Sequence, residues 1–384
     1  MGTPWSCRYT GEVDPSPDRI TWTLRRTAPD GRVLEAMDGA LFAPIAERFA
    51  EPPAHDRARG MKAIHVTGIG GPEVMKLVDV PEPEPGPGML RIANRAIAIN
   101  FHDVQSRRQG EEGLAHPYVP GTDFAGTVEA IGPGAEGFAI GDRVLGINLH
   151  DAYAEKTLVP AFLATRIPDG VTFEEAASCP VAGLTAFFLT HDNRVGPDTA
   201  VVVHAAAGSV GCFAGALLRA LGAQSIGLVS TAAKAEVARA AGFRQVIDYR
   251  REDPLARVRE LTGGQGAQLV LDSVAGPRMA QSFEMLRPGG TVVLFGRAAG
   301  DPPSDAILQT FLASGRNLGL RTYFLGTTLA NELQRIPDAY AALFDLFRRR
   351  AITLPMERLP LASAADAHAR LEGQQTVGKL ILLP

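Results

Sequence analysis

The stretch with the clearest chemical potential runs Val201-Val202-Val203-His204-Ala205-Ala206-Ala207-Gly208-Ser209-Val210-Gly211. Three β-branched residues lead into a cluster of very small ones, and a run rich in small residues, Cys212 to Leu221, follows. An apolar run of this kind reads as a buried parallel strand. The small residues let a ligand approach the backbone, and the helix behind them offers unpaired N–H groups and the positive end of its dipole to a phosphate. The spacing is Ala-x-Gly-x-x-Gly, with Ala206 where the dinucleotide fingerprint has its first Gly. It reads as a pyrophosphate turn. An ordinary strand–turn–helix packed closely through Ala and Gly would look the same. The end of the next strand carries a second signal. Dinucleotide folds that take NAD place an acidic residue there for the ribose 2′-OH. Here Ser230-Thr231 stand, with Lys234 beyond them and no carboxylate between. Hydroxyls and an ammonium suit a 2′-phosphate, and Tyr249, at the end of the third strand, can cap the same pocket. The cofactor expected from these residues is NADPH. The alternative for Lys234 is a solvated residue opening a helix.

The surrounding pattern supplies elements that could position such a turn. From about Glu174, helices and strands alternate. An Ala-rich helical stretch breaks near Pro180, and the Val201 strand and its helix follow. Strands are expected at 225–229, 245–247, 269–271 and 291–295, with helices at 234–241, 254–261 and 279–286 between them. This spacing predicts a doubly wound parallel sheet. Leu318 to Phe324 reads as a further strand, 333–350 and 363–372 as helices, and Gly378 to Leu383 as a last strand returning to an earlier domain. That earlier domain begins at Met61. Its short strands and Gly/Pro punctuation, with little helix, read as antiparallel β.

Residues 1–60 differ in texture. Ile20, Trp22 and Leu24 alternate with Thr21 and Thr23, Pro29-Asp30-Gly31 is a turn signal, and Val33-Leu34 could begin a return strand. Leu41 to Ala50 could be a short helix, and the residues from Glu51 to Gly60 read as a linker. This extension is either a partly ordered segment docked on the main body or a small added β element.

The totals bound the remaining possibilities. The chain has 384 residues, 46% of them hydrophobic, and a formal net charge of -4. It is long enough for more than one core. Its charge argues against a general nucleic-acid or anionic-membrane binder. No apolar run approaches the roughly 18 residues of a membrane span, and the first residues lack a signal-peptide pattern. The three cysteines, Cys7, Cys179 and Cys212, are scattered, so a reduced cytoplasmic protein is expected.

Several ordered segments resemble the zinc-free quinone oxidoreductase (zeta-crystallin-like) branch of the medium-chain dehydrogenase/reductase superfamily. They are Met61-Lys62-Ala63, Gly70 to Val74, Asn100-Phe101-His102-Asp103, Pro120 to Gly126, Val128 to Gly132 and Gly137 to Val144. Further along they are Gly183 to Ala186, Ala205 to Gly211, Val246 to Arg250, Asp272-Ser273-Val274 and Leu286 to Gly296. The resemblance covers roughly Met61 to Pro384. It implies an α/β protein with a GroES-like domain (61–183 and 325–384), a Rossmann domain (184–324) and the short N-terminal extension (1–60). It also implies a cleft between the domains, and a homodimer joined through strand 318–324. Zinc members carry Cys, His-Glu and Cys where this chain has Asn100, Thr122-Asp123 and a residue near Ala182. A tetrahedral catalytic zinc needs about three N, S or O ligands plus water, and none of these offers a thiol or imidazole, so no metal is expected.

By the same resemblance, Ala207, Gly208, Ser209 and Val210 would meet the pyrophosphate, and Ser230, Lys234 and Tyr249 the 2′-phosphate. Phe295, Gly296 and Arg297 would run beside the ribose and nicotinamide, with Arg321, Thr322 and Tyr323 closing that end. Asn100 and Asp103 would line the cleft, although Asp103 could equally be a structural hydrogen-bonding residue in its loop. Gln105 replaces a Tyr usual in the family, and Gln374 or Gln375 stands where relatives often supply an Arg to the 2′-phosphate. Asn100, Asp103 and Gln105 are the candidate catalytic residues. A conjugated acceptor is already electrophilic, so placement near hydride and polar donors such as Asn100 would suffice; His102, His116 and Tyr118 are candidate proton donors. The expected activity is NADPH-dependent reduction of a quinone or α,β-unsaturated carbonyl. The alternatives are a biosynthetic tailoring enzyme (a trans-acting enoyl reductase or a hydride-triggered reductive cyclase) and a non-catalytic NADPH-binding protein.

Overall fold

The structure, a computed structural model, describes residues 60–111 and 114–384, and three strand segments before them. Those segments, β1 (Cys7–Tyr9), β2 (Thr21–Thr27) and β3 (Val33–Ala40), form an antiparallel sheet in the order β1-β2-β3. The helix expected at 41–50 and the linker after it, up to residue 59, lie outside the described residues.

The chain then builds a β-rich domain. A hairpin of β4 (Gly60–Val66) and β5 (Met75–Pro81) leads to β6 (Met89–Ala98), whose Leu90, Ile92, Ala96 and Ile97 are fully buried. Strands β7 (Asp123–Ile131), β8 (Arg143–Ile147), β9 (Lys156–Pro160) and β10 (Ala164–Arg166) complete its first part. Near the end of the chain, β17 (Met356–Pro360) and β18 (Lys379–Leu383) join the same sheet, in the order β10-β8-β7-β6-β18-β17 with β9 on β6. The pairing of Ile381 with Ala98 and Leu382 with Ile97 brings the last strand back beside β6.

Between these parts lies a six-stranded parallel sheet. Its strands are β11 (Ala200–Val203), β12 (Gln224–Val229), β13 (Gln245–Asp248), β14 (Ala267–Asp272), β15 (Leu286–Leu294) and β16 (Gly319–Thr322). The order β13-β12-β11-β14-β15-β16 reverses direction between β11 and β14, the switch point where such sheets bind ligands. Val201, Val202 and Val203 are buried on both faces of the sheet, as a central parallel strand requires. Helices α4 (Ser209–Ala220), α5 (Ala232–Ala241), α6 (Pro254–Leu261) and α7 (Met279–Glu284) connect the strands.

The junction between the two sheets is helical. Helix α2 (Phe173–Ala177) passes through a π turn, Cys179–Gly183, into α3 (Leu184–His191), so the break near Pro180 is real. Helix α10 (Ile336–Arg348) packs on α3 and the π turn, and Phe347 meets Phe213 of α4 edge to face at 5.8 Å. A Cβ on Gly183 would lie 2.8 Å from Leu343 Cδ1, so the approach is as close as the chain allows.

Three helices fall where sequence pattern predicts none: α1 (Phe101–Gln109), α8 (Ser304–Ala313) and α9 (Leu325–Asn331). For α1 the reason is physical. Its last residues, Ser106-Arg107-Arg108-Gln109, show no apolar stripe, and the helix is held by its start, where Asp103 accepts from the Asn100 backbone N–H at 2.8 Å. The strand expected over 318–324 is shorter, at Gly319–Thr322. Helix α11 (Ala364–Glu372) precedes β18 and follows the expected pattern.

The turn after β11 depends on Gly211. A Cβ there would lie 2.6 Å from both the Ala205 and Ala206 carbonyl oxygens. Gly211→Ala is therefore expected to cost about 1–3 kcal/mol through overpacking; a urea unfolding midpoint equal to that of the parent chain would contradict this.

Candidate active site

The chemistry-bearing residues collect at the carboxyl ends of the parallel strands. After β11 the chain turns through Ala205, at φ +50°, and starts α4 at Ser209. Gly208 is the N-cap and makes no side-chain cap bond, so the first N–H groups of α4 face outward from the turn. The turn is pinned to both neighbouring strands: the Ala206 N–H donates to Leu228 at 3.2 Å, and the His204 N–H to Leu271 at 3.0 Å. Close backbone approach and a capless helix start fit a pyrophosphate. On one side lies the end of β12, where Ser230 is nearly buried, Thr231 caps α5 by accepting from the Lys234 N–H, and the Lys234 side chain is half-buried. The Tyr249 N–H donates to the Val229 carbonyl, which brings the Tyr249 backbone beside this corner. On the other side, Phe295, Gly296 and Arg297 follow β15, and Arg321, Thr322 and Tyr323 lie on and just beyond β16. The Phe295 N–H donates to Asp272, and a Cβ on Gly296 would meet the Ser273 carbonyl at 2.8 Å. Arg297 turns outward to Asp301, and Arg321 lies 3.9 Å from Asp192. The sites predicted for the two halves of a dinucleotide are thus brought to one crevice.

The connector from α11 to β18 crosses that crevice. Gly378 donates its N–H to Ala207 at 2.8 Å and accepts from the Ser209 hydroxyl at 2.7 Å. The Lys234 ammonium donates to the Gln374 carbonyl at 2.8 Å. Gln374, at φ +55°, faces the expected 2′-phosphate corner with its backbone oxygen, which no residue-type argument could foresee.

One residue past Gly378 the chain enters a buried polar network. Lys379 is 1% exposed and donates to Asn100 Oδ1 at 2.5 Å, with Asp123, fully buried, 3.8 Å away. Asn100 Nδ2 donates to Thr122 Oγ1 at 2.9 Å, and the Thr122 hydroxyl donates to Asp123 at 3.1 Å. The Val181 N–H of the π turn donates to the other Asp123 oxygen at 3.0 Å. Burial drives the Asp123 carboxyl up to about 6, against the pull of Lys379, and burial lowers Lys379 against the pull of Asp123. Asn100, Thr122 and Asp123 are positions at which the resemblance implies ligands in zinc members. An amide, a hydroxyl and a carboxylate already gathered around an ammonium do not fit a zinc centre. Among the described residues, no group of three His, Cys, Asp or Glu could hold a metal ion.

A second arm runs from Asn100 to the surface. Asp103 is buried in the first turn of α1 and accepts from the Tyr153 hydroxyl at 3.0 Å. Tyr153 meets His368 Nε2 at 3.1 Å, and Arg107, fully buried, donates to His368 Nδ1 at 3.3 Å. Arg107 also bonds the Gly70 carbonyl and Glu372. Because Arg107 only donates, the His368 proton sits on Nε2, and each bond of the arm points toward Asp103. Burial and the Arg107 charge hold His368 down at about 3. Asn100 and Asp103 are therefore brought together, with their bonded atoms committed to protein partners. Gln105 lies half-buried on α1, apart from these bonds. Sequence reasoning missed Lys379, Tyr153, His368 and Arg107; the available signal was a lysine opening an otherwise apolar last strand.

Of the expected proton donors, His102 lies beside Glu111, and His116 and Tyr118 meet each other by their rings. The Glu111 carboxylate lies 3.5 Å from His102 Nε2 and 3.2 Å from His150 Nε2 and takes the Ser106 hydroxyl. Burial raises Glu111, but His150 and Ser106 outweigh it and hold the group at about 2. Tyr118 lies between His116 and His150, ring centres 5.4 Å from each.

Comparisons with known proteins agree with this geometry. Residues 86–185 match the family described as alcohol dehydrogenase GroES-like domain, and residues 209–344 match zinc-binding dehydrogenase. A quinone oxidoreductase of Pseudomonas aeruginosa is 36% identical over 84% of this chain and 99% of its own. A 2-haloacrylate reductase of Burkholderia is 33% identical over 82% of this chain and 96% of its own. The crystal structure of Escherichia coli quinone oxidoreductase complexed with NADPH superposes with a TM-score of 0.78 at 32% identity, covering 84% of this chain and all of that one. The chain belongs to the medium-chain dehydrogenase/reductase superfamily and, within it, to the zinc-free quinone oxidoreductase branch.

The neutral, buried His368 has a measurable consequence. Its folded value lies far below the unfolded one near 6.5, so between those values the unfolded chain binds the extra proton. The stability it contributes is complete above pH ~6.5 and is lost as pH falls toward its folded value. His368→Gln is expected to lower stability at about pH 7.5 yet flatten the loss between about pH 7.5 and about pH 5. Equal slopes for parent and variant in urea titrations would refute it.

Proposed function

We propose that this protein is an NADPH-dependent reductase that delivers hydride to a quinone or an α,β-unsaturated carbonyl without zinc. The observation that carries this reading is the capless start of α4 beside Lys234, with hydroxyl residues and no carboxylate at the end of β12. Bound NADPH supplies the hydride. The chain's own residues do the rest. Ala207 to Val210 hold the pyrophosphate through N–H groups, and Ser230, Lys234 and Tyr249 hold the 2′-phosphate. Phe295 to Arg297 and Arg321 to Tyr323 border the nicotinamide half. A conjugated acceptor is electrophilic enough to react when correctly placed, so the reaction does not call on a Lewis acid. Asn100, fixed by Lys379 and Thr122, and Asp103, fixed by Tyr153, set the shape of the acceptor cleft, and Gln105 lines it in place of the family's Tyr.

Consumption of NADPH with a panel of quinones and enones is the direct test. Activity is expected to survive a strong chelator; loss that zinc restores would overturn the reading. Lys234→Glu is expected to weaken NADPH binding at least tenfold, or roughly 1.4 kcal/mol, and to change NADH binding little. An equal loss for both would reject the role of Lys234.

The assembly in this reading is a homodimer. Strand β16 is the free edge of its sheet, and Leu320 and the following Phe324 are 45% and 67% exposed. Leu308 and Leu312 of α8 are exposed as well. An apolar sheet edge is a template for a second strand, and a second copy of this chain supplies one. Leu320→Asp combined with Phe324→Asp should give a monomer by light scattering; an unchanged dimer would place the interface elsewhere. The free, buried Cys179 and Cys212 support a cytoplasmic location. Among the described residues, no helix is long and apolar enough to cross a membrane.

A further inference from the structure

The 2′-phosphate corner is short of positive charge if only the residues above serve it. A phosphate monoester carries about −1.5 to −2 at neutral pH, Ser230 and Tyr249 are neutral, and Lys234 brings one charge. The C-terminal connector offers that lysine a carbonyl, from Gln374, and no charge. A further cation stands nearby. The Arg278 guanidinium lies over the Tyr249 ring, 5.3 Å from its centre. Tyr249 follows β13 and Arg278 follows β14, and two strands, β12 and β11, separate those in the sheet. The stack therefore bridges the carboxyl ends of β12 and β11, over the corner that holds Ser230 and Lys234.

Arg278 is launched from a rigid turn. The buried Asp272 accepts from the Val274 and Ala275 N–H groups at 2.8 and 2.9 Å, and from the Ser282 hydroxyl at 2.9 Å. Ala275 and Gly276 both have positive φ, and a Cβ on Gly276 would collide with the Ala299 carbonyl at 2.7 Å. Among the described residues, neither Arg278 nor Lys234 forms an ion pair with a carboxylate. The Lys234 ammonium is lowered by burial and by the nearby Arg250 charge, so cations stand close together at this corner.

We propose that Arg278, held across the crevice on the face of Tyr249, is a cofactor-specificity residue that supplies a further positive charge to the 2′-phosphate of NADPH. This rests on the NADPH reading above and adds to it a residue from the far side of the sheet's switch point. The side chain is exposed, so its replacement leaves the core untouched.

Equilibrium binding by calorimetry, with 2′,5′-ADP and 5′-AMP as probes, tests it without turnover. In the full chain, Arg278→Ala is expected to weaken 2′,5′-ADP at least fivefold and 5′-AMP less than twofold, with Arg278→Lys in between for 2′,5′-ADP. Unchanged or tighter 2′,5′-ADP binding by Arg278→Ala, while Lys234→Glu still loses it, would overturn the role of Arg278 and leave the cofactor reading standing. Equal weakening of both probes would assign Arg278 to adenine and overturn the 2′ assignment. A parent chain that binds neither 2′,5′-ADP nor NADPH would remove the cofactor reading and this proposal together.

Discussion

One covalent step, from Gly378 to Lys379, ties together the two halves of the candidate site. Gly378 is bonded in both directions to the phosphate turn, through Ala207 and Ser209. Lys379 puts its ammonium between Asn100 and Asp123. Two neighbouring residues thus touch the turn after β11 in one sheet and the buried polar network of the other. Gly378 tolerates nothing larger, since a Cβ would lie 2.0 Å from the Pro355 carbonyl. The register of β18 against β6 and β17 then fixes where the ammonium goes.

A buried ammonium is expensive to desolvate, and it persists only with close partners. Here the amide of Asn100 and the carboxylate of Asp123 meet that need, and the same two groups are tied to the π turn at Val181 and to Thr122. The cation organises the buried polar residues around it, Asn100 and Asp123. A metal can exchange its water for a substrate oxygen, whereas this lysine is enclosed and spent on the protein. The chemistry left to the cleft is that of positioning.

Much of this was legible in the chain and some was not. The alternation of strands and helices from Glu174 onward, the break at Pro180 and the returning last strand are written in local pattern, because parallel strands and their helices carry strong apolar periodicity. The phosphate turn is legible because only small residues fit it. Helix α1 is not, because its start is fixed by one hydrogen bond from Asn100 to Asp103 and its end has no apolar stripe. The network of Lys379, Asp123, Tyr153 and His368 draws on residues far apart in sequence, joined only by sheet register. Backbone groups are invisible to residue-type reasoning, so the carbonyl of Gln374 could not be foreseen. The N-terminal strands at Trp22 and Val33 follow their alternation and turn signals.

In the proposed reading, the bond between Lys234 and the Gln374 carbonyl makes ligand capture at that corner an exchange. An anion arriving there replaces an existing partner, so the net gain is the difference between two hydrogen bonds, smaller than a bare cation would give. Departure is helped by the same amount, because the ammonium passes back to the carbonyl without standing bare beside Arg250. A reductase must release its spent cofactor once per cycle, and a site that is never wholly unpartnered favours quick turnover over tight retention.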